Sequence, residues 1–490
     1  MADSFQLYID GEFCDAELGA TFESIDPSTG LGWAEMPKAS SADTNKAVIA
    51  AHAAFTHGPW PKLTATARGK LLYKLADLVA RDAHIIAELE TRDTGKVIRE
   101  TTAVTGYVAE FYRYFAGLAD KIEGATLPID KPDLEVSTRR EPLGVVAAIV
   151  PWNSQMFLTA SKLGPALAAG NTVVIKASED GPAPLLHFAR LIHEAGFPKG
   201  VVNIITGFGI DCGQVLTSHP RVARVAFTGG PETARHVVRN TAENFAVTTL
   251  ELGGKSPVLV FDDANLDSAL NGVIAGIWGA TGQSCVAGSR LLIHESIHDA
   301  FVAKLAERAG GIKIGHPLDM ATEMGPLATK RQLQRAGNLI AQSVEGGATV
   351  VCGGKPLQGA GYYFEPTILL APTATLPCVT QEFFGPVLSV LKFKTEDEAV
   401  GLANGTAYAF AAGVFTQNLG RAHRLAKSLR AGVVWVNTYR AVSPIVPFGG
   451  NGHTGYARES GMDAIRDYTR TKSIWINTSD VPMADPFIMR

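Results

Sequence analysis

The first half of the chain alternates short apolar runs with segments that have helical spacing. The apolar runs cover residues 145–150, 172–175, 201–205, 225–228 and 248–252, and helical stretches lie between them at 158–169, 183–195, 212–216 and 232–240. The runs "VVAAIV" and "TVVI" are apolar without interruption, as in parallel strands that are buried on both faces. Strands that alternate with helices predict an α/β fold built on a doubly wound parallel sheet.

A second α/β region follows in the same chain of 490 residues, a length that accommodates several domains. Its predicted strands are residues 257–261, 349–352, 388–393 and 432–436. Ahead of both regions, residues 65–89 have the apolar spacing of an amphipathic helix.

Two segments fit neither region. Residues 122–140 have the character of an extended excursion, and the tail "TRTKSIWINTSD" that follows Tyr468 alternates as an edge strand does. Because edge strands invite pairing with another chain, we expect both segments to help build an oligomer interface. The alternative is a solvated linker and a frayed tail.

Composition argues against several classes of partner. The net charge is −4 and no basic block interleaves with aromatic residues, so nucleic acid is not expected as a partner. The five cysteines are scattered without a CxxC pair, which favours a reducing, cytoplasmic compartment and predicts no metal site. The N-terminus lacks the features of a secretory signal, and the uncharged span 268–289 is too rich in glycine for a membrane helix.

A lysine and a glutamate follow the predicted strand at 172–175, in the sequence "KASED". Ligands of doubly wound sheets bind at the carboxyl ends of the strands. Lys176 could therefore reach an adenosine ribose or phosphate, and Glu179 could accept hydrogen bonds from ribose hydroxyls. Glu179 would repel a 2′-phosphate, which favours NAD and leaves NADP as the second choice. The alternative is a surface ion pair between the two residues.

Two glycine-rich turns are candidates for phosphate binding. "TGFGIDCG" places Gly209 and Gly213 in a pattern that departs from GxGxxG and is weak alone. "FTGGPETAR" places Gly229 and Gly230 before Pro231, which suits the first turn of a helix. The free N–H groups of a helix N-terminus bind phosphate. An ordinary turn between strand and helix explains this second motif equally well.

One cysteine lies among small residues in the stretch "WGATGQSCVAGSR". An apolar helical face at 266–277 leads into it, and the small neighbours of Cys285 leave room for a substrate. A lone cysteine is more often a small buried packing residue than a nucleophile. Cys285 alone therefore favours the packing interpretation.

Three further features favour chemistry at Cys285. Asn153 ends a predicted strand in "VVAAIVPWNSQ", where its amide could donate to an oxyanion. Glu251, in "LELGGKSP", lies between leucines that would desolvate it and raise its pKa towards that of a general base. Glu382 and Phe384 precede another predicted strand in "TQEFFGPVLSV". Their structural alternatives are a helix cap, a salt bridge, and a turn acid with a core aromatic.

These motifs resemble those of the aldehyde dehydrogenase superfamily and occur in that family's order. "PWN", "KASE", "FTGG", "LELGGKSP", "GQSC", "EFFGP", "WVN" and "PFGG" all match and together span nearly the whole chain. The spacings of 34 residues from Glu251 to Cys285 and 97 residues from Cys285 to Glu382 are also similar to the family's. Eight modest motifs in register identify the chain as a member.

The resemblance implies a covalent mechanism. The Cys285 thiolate would attack the aldehyde carbon and give a thiohemiacetal, whose oxyanion the Asn153 amide and the Cys285 backbone N–H would hold. Hydride transfer to NAD would leave a thioester, and Glu251 would activate the water that releases the carboxylic acid. Glu459, in "GYARESG", matches a position proposed as a second proton relay, and its alternative is a surface acid.

The resemblance also implies the binding residues. The cofactor set is Trp152, Lys176, Glu179, Gly209, Gly213, Phe227, Gly229, Gly230, Glu382 and Phe384. Within it, Lys176 and Glu179 would bind the adenosine ribose, and Phe384 would pack near the nicotinamide. The expected fold has an NAD-binding domain at 1–121, 141–252 and 449–468, a catalytic domain at 253–448, and an oligomerisation arm at 122–140 and 469–490. Homodimers or homotetramers are typical of the family.

Departures from the family pattern bear on the substrate. The candidate pocket residues are Ser161, Tyr439, Arg440 and Phe448. Ser154, Ser161 and Gly279 stand where bulky aromatics often wall the pocket, so this pocket is expected to be roomier or more polar. Arg440 could pair with a carboxylate, which suggests a small polar or acidic aldehyde. The alternative is that Arg440 faces solvent.

Other functions compete with the hydrolytic one. A CoA-acylating relative would pass the acyl group to CoA, but thiolysis does not need Glu251 in the same way. A non-catalytic structural relative is disfavoured because Cys285, Asn153 and Glu251 are all present. A thiol hydrolase is disfavoured because none of these motifs contains a histidine to activate the cysteine.

Overall fold

The computed structural model of the chain describes residues 5–488, and its first sheet is built around five consecutive parallel strands. Numbered along the chain, these strands lie across the sheet in the order 3-2-1-4-5, which is the doubly wound arrangement. The strands are Val145–Ile149, Thr172–Ala177, Val202–Thr206, Val222–Thr228 and Val247–Glu251. The predicted fold class is confirmed, and each predicted strand of this region overlaps an observed one.

Short antiparallel strands extend this sheet at both edges. Leu7–Ile9 pairs with the strand Val202–Thr206 and with the hairpin strand Glu12–Cys14. At the other edge, Gly455–Tyr456 pairs with Val247–Glu251. Residues near both ends of the described chain therefore complete the sheet.

Helices cover the faces of the first sheet. They are Ser41–Thr56, Ala65–Arg81, Ala83–Thr94, Ile98–Leu118, Gln155–Ala169, Ala183–Ala195, Gln214–Ser218, Pro231–Thr241 and Gly461–Asp467, with short helical turns at Trp60–Lys62, Ala119–Lys121 and Gly209–Gly213. The prediction of continuous helical structure over 65–89 is wrong in one respect, since the chain breaks at Asp82 and a second helix runs on to Thr94. Asp82 leaves helical geometry there, and its carboxylate binds Arg81 and His187.

The second sheet has seven strands, all parallel except one edge strand. Across the sheet they are Thr349–Cys352, Thr367–Leu370, Val387–Phe393, Arg290–His294, Pro257–Val260, Ala411–Phe415 and Val433–Val436. Thr349–Cys352 is the antiparallel one. The helices of this region are Leu266–Ile277, His298–Gly310, Lys330–Glu345, Pro377–Thr380, Glu396–Ala403 and Leu419–Ser428, with short turns at Gly279–Gly282 and Glu295–Ile297.

A third, three-stranded sheet unites the two segments that fit neither region in the sequence. Strand Thr469–Asn477 pairs antiparallel with Leu134–Pro142 along its full length, and Thr126–Leu127 pairs on the far side. Within residues 5–488, the outer edge of Thr469–Asn477 has no strand partner. Two antiparallel pairs complete the strands: the hairpin of Thr21–Asp26 with Leu31–Pro37, and the pairing of Tyr408–Ala409 with the distant Asn451–Gly452. None of the helices described is long and apolar enough to cross a bilayer.

The two large sheets meet end to end and frame one cleft. The first sheet presents the carboxyl ends of its strands, which lead into Asn153, Gly229 and Leu252. The second sheet presents amino ends, because Cys285 precedes the strand Arg290–His294 and Glu382 precedes the strand Val387–Phe393. Residues far apart in sequence are thus brought to one place.

Candidate active site

A helix followed by a tight turn positions the cysteine loop. Asn265 caps the helix Leu266–Ile277 by accepting a hydrogen bond from Ser268 N–H. The turn that follows passes through Gly282, whose φ is +71°, and a methyl group there would overlap the Gly385 carbonyl oxygen. Only glycine fits this contact. The turn delivers Cys285 to the floor of the cleft.

Desolvation governs the reactivity of the Cys285 thiol. Burial raises its pKa to about 12, and the carboxylates of Glu251 and Glu382 act in the same direction. The positive charge of Arg440 acts against them. The thiol is therefore protonated at neutral pH and needs a nearby positive charge or a base to form thiolate.

We predict that alkylation of Cys285 by iodoacetamide accelerates about tenfold per pH unit from pH 7 to 10. The reason is that the thiolate is the reacting form and its fraction rises with pH until the raised pKa is reached. Peptide mapping by mass spectrometry separates Cys285 from the other four cysteines. A rate that reaches its plateau near pH 8 would show an ordinary thiol and contradict the expectation.

Asn153 places an amide beside the cysteine loop. It follows the strand Val145–Ile149 and is 8% exposed. Its Nδ2 donates to the Gln283 carbonyl oxygen at 3.1 Å, two residues before Cys285. An amide nitrogen carries two hydrogens, so one N–H is left to donate into the cleft. This arrangement suits an oxyanion donor.

Glu251 ends the strand Val247–Glu251 and is 3% exposed. Neither carboxyl oxygen has a hydrogen-bond partner within the described structure. Burial raises its pKa well above the usual value, the charge of Glu459 adds to this, and Lys162 opposes it. Gly449 makes room for the carboxyl, because a methyl group there would overlap Oε1. Glu251 is thus a buried acid that takes up a proton readily.

A buried ion pair lies behind Glu251. Lys162 Nζ pairs with Glu459 Oε1 and donates to Thr228 Oγ1 at 2.6 Å. Ser161 Oγ donates to Glu459 Oε2 at 2.6 Å. Glu459 is only 3% exposed, so the surface-acid alternative is wrong. The sequence predicts Ser161 in the substrate pocket, but its hydroxyl is directed to Glu459, because the small side chain fits under that buried carboxylate.

Glu382 faces the cleft from the second sheet. Its Oε1 accepts a hydrogen bond from Gly254 N–H at 2.8 Å, and a methyl group at Gly253 would overlap its Oε2. Burial raises the pKa of Glu382 to about 7. Beside it, Phe384 meets Trp152 edge to face, with ring centroids 5.5 Å apart. The glycine pair in "LELGGKSP" therefore admits Glu382 to the site.

These groups line one cleft of about 500 Å³ between the two sheets. Its lining includes Trp152, Asn153, Gly229, Gly230, Glu251, Cys285, Arg331, Gln332, Arg335, Glu382 and Phe384. The predicted catalytic residues therefore converge with five of the predicted cofactor residues. Arg331 and Arg335, which the sequence reasoning missed, bring positive charge to the same walls.

Lys176 and Glu179, the two residues predicted to bind the adenosine ribose, form an ion pair at 2.8 Å. They form the pair that the structural alternative predicted, but Lys176 is buried and does not lie on the surface. The turn Gly209–Gly213 is close to them, because both charges act on the thiol of Cys212 within it. Methyl groups at Gly209 and Gly213 would meet no heavy atom within 4 Å, so a ligand can approach this backbone.

Phe227 differs from its predicted role as a cofactor contact. It is 3% exposed and belongs to the apolar core beneath the sheet. A methyl group at Gly229 would lie 2.6 Å from its ring, so Phe227 shapes the glycine turn from below. Along a strand, side chains alternate between faces, and this one faces inward.

Tyr439 also differs from its predicted place in the substrate pocket. Its hydroxyl donates to the Val286 carbonyl oxygen at 2.9 Å, directly behind Cys285. The ring packs where Gly276 and Gly413 leave space, with methyl groups there falling at 3.2 and 2.7 Å from it. Tyr439 therefore supports the cysteine loop. Phe448 packs against Phe410 at 5.1 Å between centroids, in the apolar cluster that Cys285 touches.

Arg440 reaches back over the helix that leads to the cysteine loop. Its Nη1 donates to the Ala275 carbonyl oxygen at 3.0 Å. A methyl group at Gly279 would lie 2.6 Å from Arg440 Nη1 and 3.7 Å from Glu100 Oε1. Because Gly279 has no side chain, the Arg440 guanidinium and the Glu100 carboxylate can approach each other there. Arg440 is partly buried and close enough to lower the pKa of Cys285. It does not simply face solvent.

Comparison with known proteins identifies the class. The sequence pattern of the aldehyde dehydrogenase family matches residues 13–474. The chain belongs to this family, as its motifs predicted, and it is an oxidoreductase that oxidises aldehydes with a nicotinamide dinucleotide.

Individual relatives agree with this assignment. The chain is 60% identical over 487 residues, 99% of each chain, to a (Z)-2-((N-methylformamido)methylene)-5-hydroxybutyrolactone dehydrogenase of Acinetobacter baylyi. It is 44% identical to aldehyde dehydrogenase 1 of Tanacetum cinerariifolium, over 96% of this chain and 94% of the other. The NAD⁺ complex of an aldehyde dehydrogenase from Bacillus cereus superposes with a TM-score of 0.96 at 41% identity, covering 97% of both chains.

Proposed function

We propose that this enzyme oxidises a small polar aldehyde to its carboxylic acid with NAD, through a covalent thioester on Cys285. The observation that carries the proposal is the meeting of a thiol, an amide donor and an unpaired buried carboxyl in one cleft: Cys285, Asn153 and Glu251. Each of the three stages of the reaction has a residue suited to it.

The first stage is attack on the aldehyde. The thiol of Cys285 loses its proton to solvent water, its sulfur then forms a bond to the carbonyl carbon, and the carbonyl oxygen becomes an oxyanion. The free N–H of Asn153 and the backbone N–H of Cys285 are the donors we assign to that oxyanion. NAD bound in the cleft would supply the acceptor for the hydride that leaves the former aldehyde carbon. A thioester on Cys285 remains.

The last stage is hydrolysis, for which Glu251 is the base we assign. As a carboxylate it takes a proton from water, and the hydroxide oxygen bonds to the thioester carbon as the carbon–sulfur bond breaks. Lys162 and Arg458 favour the ionised form that this requires. A CoA-acylating enzyme has no need of such a base. NADH formation at an equal rate with and without CoA would support hydrolysis, and formation that requires CoA would refute it.

The cleft offers the groups that a dinucleotide needs. Gly230 opens the helix Pro231–Thr241, and a methyl group at Gly230 would meet nothing within 4 Å, so a pyrophosphate can approach its N–H groups. Glu382 can accept hydrogen bonds from the nicotinamide ribose, and Phe384 with Trp152 offers an aromatic wall for the nicotinamide ring.

We assign NAD rather than NADP as the preferred cofactor. Glu179 and its neighbour Asp180 would repel a 2′-phosphate, whereas carboxylates accept hydrogen bonds from ribose hydroxyls. The ion pair with Lys176 holds the Glu179 carboxylate at the carboxyl end of the strand Thr172–Ala177. The ratio of kcat/KM for the two cofactors tests this assignment.

The substrate we propose carries a carboxylate as well as an aldehyde. The Acinetobacter baylyi relative is named for a 5-hydroxybutyrolactone, and such a lactone is the ring-closed form of a 4-oxobutanoate. Ring opening therefore yields an aldehyde and a carboxylate on one carbon chain. We assign Arg440 as the positively charged residue that binds this carboxylate. Its guanidinium lies beside Gly279, where no side chain blocks the approach of a substrate.

Replacement of Arg440 by alanine should separate acidic from neutral substrates. A charge-assisted hydrogen bond contributes about 1.5–3 kcal/mol, so kcat/KM for 4-oxobutanoate should fall about 10–100-fold. The value for pentanal, which has no carboxylate, should change less than about twofold. Arg440→Lys keeps the charge and should recover part of the loss. Equal effects on both aldehydes would refute the assignment.

Two other interpretations have less support. A purely structural relative would not keep a thiol, an amide donor and an unpaired carboxyl together in a cleft. A thiol hydrolase of the Cys–His type needs a histidine beside its cysteine, and no histidine lines the cleft within residues 5–488.

We further propose that the chain is a cytoplasmic homodimer or homotetramer with the three-part division given above. All five cysteines are free, which suits a reducing compartment. The three-stranded sheet supports the division, because it joins residues 122–140 to the tail after residue 468 and leaves Trp475 58% exposed beside an open strand edge. Sedimentation equilibrium that finds a stable monomer would refute the assembly.

A further inference from the structure

The segment between Lys96 and Glu100 contacts both loops that carry the proposed chemistry. Lys96 Nζ donates to Ser154 Oγ at 2.9 Å and pairs with Glu90 at 3.0 Å. Ser154 directly follows Asn153. Lys96 is 5% exposed, so this contact to the loop of the oxyanion donor is made in a buried environment, where hydrogen bonds are strong.

Four residues further on, Glu100 holds the turn before Cys285. Both of its carboxylate oxygens accept the Ala280 N–H, at 3.0 and 2.9 Å. Ala280 and Thr281 have φ values of 53° and 54°, the left-handed region that non-glycine residues rarely adopt. Each such residue costs about 1–2 kcal/mol, so the turn needs contacts that stabilise it. A carboxylate that accepts a backbone N–H is one of the stronger contacts available.

The two loops are also joined to each other, which closes a ring. Asn153 Nδ2 donates to the Gln283 carbonyl, and Gln283 N–H donates to the Ala280 carbonyl at 3.0 Å. The contacts therefore form a closed ring. It runs from Lys96 to the loop of Ser154 and Asn153, then to the turn that contains Ala280 and Gln283, and then to Glu100. The backbone joins Glu100 back to Lys96. A closed ring resists displacement of any one member more than an open chain of contacts does.

We propose that Glu100, together with Lys96, is a positioning residue that fixes the Asn153 amide relative to the Cys285 thiol. This inference rests on the proposed function. An oxyanion donor acts only when it lies within a few tenths of an ångström of the developing charge, so a loosened ring lowers the rate of attack on the aldehyde. Binding of NAD and of an aldehyde without a carboxylate depends on other contacts and is preserved.

The test uses Glu100, because removal of Lys96 would leave Glu90 buried without its partner. In Glu100→Ala, the rate of the first NADH turnover should fall about 10–100-fold at saturating NAD and pentanal, with KM for both changed less than about twofold. Glu100→Gln keeps one acceptor oxygen for Ala280 N–H and should recover to within about threefold of the wild type. Glu110→Ala, on the same helix but half exposed, is the matched control and should react normally.

Two further variants separate positioning from a general loss of stability. Ala280→Gly lowers the cost of the left-handed turn, so adding it to Glu100→Ala should restore part of the turnover rate. In combination with Asn153→Ala, the loss from Glu100→Ala should largely disappear, because Glu100 acts through Asn153.

A Glu100→Ala enzyme with a normal first turnover would overturn the inference. So would losses that multiply independently with those of Asn153→Ala, or a loss confined to KM. A wild-type protein that forms no NADH from any aldehyde would instead overturn the proposed function, so the two failures are distinguishable.

Discussion

Cys285→Ser should lose aldehyde oxidation almost completely, with kcat lowered by about 10⁴-fold or more. A serine hydroxyl is a far weaker nucleophile than a thiolate, and burial that raises the pKa of the thiol to about 12 would disfavour an alkoxide even more strongly. Without the covalent bond there is no thiohemiacetal from which hydride can leave. NADH absorbance under saturating NAD and aldehyde gives kcat directly.

The matched control for this change is Cys352→Ser, a partly buried thiol on the outer strand of the second sheet. It should retain wild-type kcat. NAD binding by Cys285→Ser, followed by titration calorimetry, should stay within about threefold of the wild type, because the cofactor contacts lie elsewhere in the cleft. Substantial turnover by Cys285→Ser would mean that another residue is the nucleophile.

Glu251→Gln should separate the two half-reactions. The glutamine has the same size but cannot take a proton from water, so hydrolysis should slow by about 10²–10⁴-fold while hydride transfer continues. Rapid mixing with NAD and aldehyde should then show a burst approaching one NADH per active site, followed by a slow steady state. The wild type should show a smaller burst or none.

Glu307→Gln, an exposed change on the helix His298–Gly310, is the control and should leave both phases unchanged. If Glu251 instead activates the thiol, Glu251→Gln would abolish the burst itself. That result would place the residue in the first stage and require another base for hydrolysis.

The positions of the central strands could be predicted from the sequence, because a strand that is buried on both faces is apolar without interruption. The runs at 145–150 and 172–175 became the strands Val145–Ile149 and Thr172–Ala177, and the predicted α/β fold class is confirmed. Element ends were less predictable. The helix breaks at Asp82, whose carboxylate contacts His187 more than 100 residues away, and local periodicity does not reveal such a contact.

Parts of the site were readable for a similar reason. Residues such as Asn153, Glu251 and Glu382 stand at ends of strands, and strand ends of this fold meet at the cleft. Family spacing then grouped them with Cys285. The chemical roles proposed for these residues are tested by the Cys285, Glu251 and Glu100 variants.

The direction of each side chain could not be predicted. Tyr439 turns behind Cys285 because glycines at 276 and 413 leave space for its ring. Ser161 turns to Glu459, and Lys162 pairs with the same carboxylate across 297 residues of sequence. No sequence motif indicated the role proposed for Glu100, because that role depends on the backbone N–H of Ala280, 180 residues further along the chain.

A covalent thioester on Cys285 can be detected by its mass. The Glu251→Gln enzyme would be mixed with NAD and 4-oxobutanoate, quenched in acid within the burst, and digested for peptide mass spectrometry. The peptide containing Cys285 should gain the mass of the acyl group in proportion to the NADH formed, and the peptides of the other four cysteines should not. NADH formed in the burst without any acyl group on Cys285 would contradict the proposed thioester.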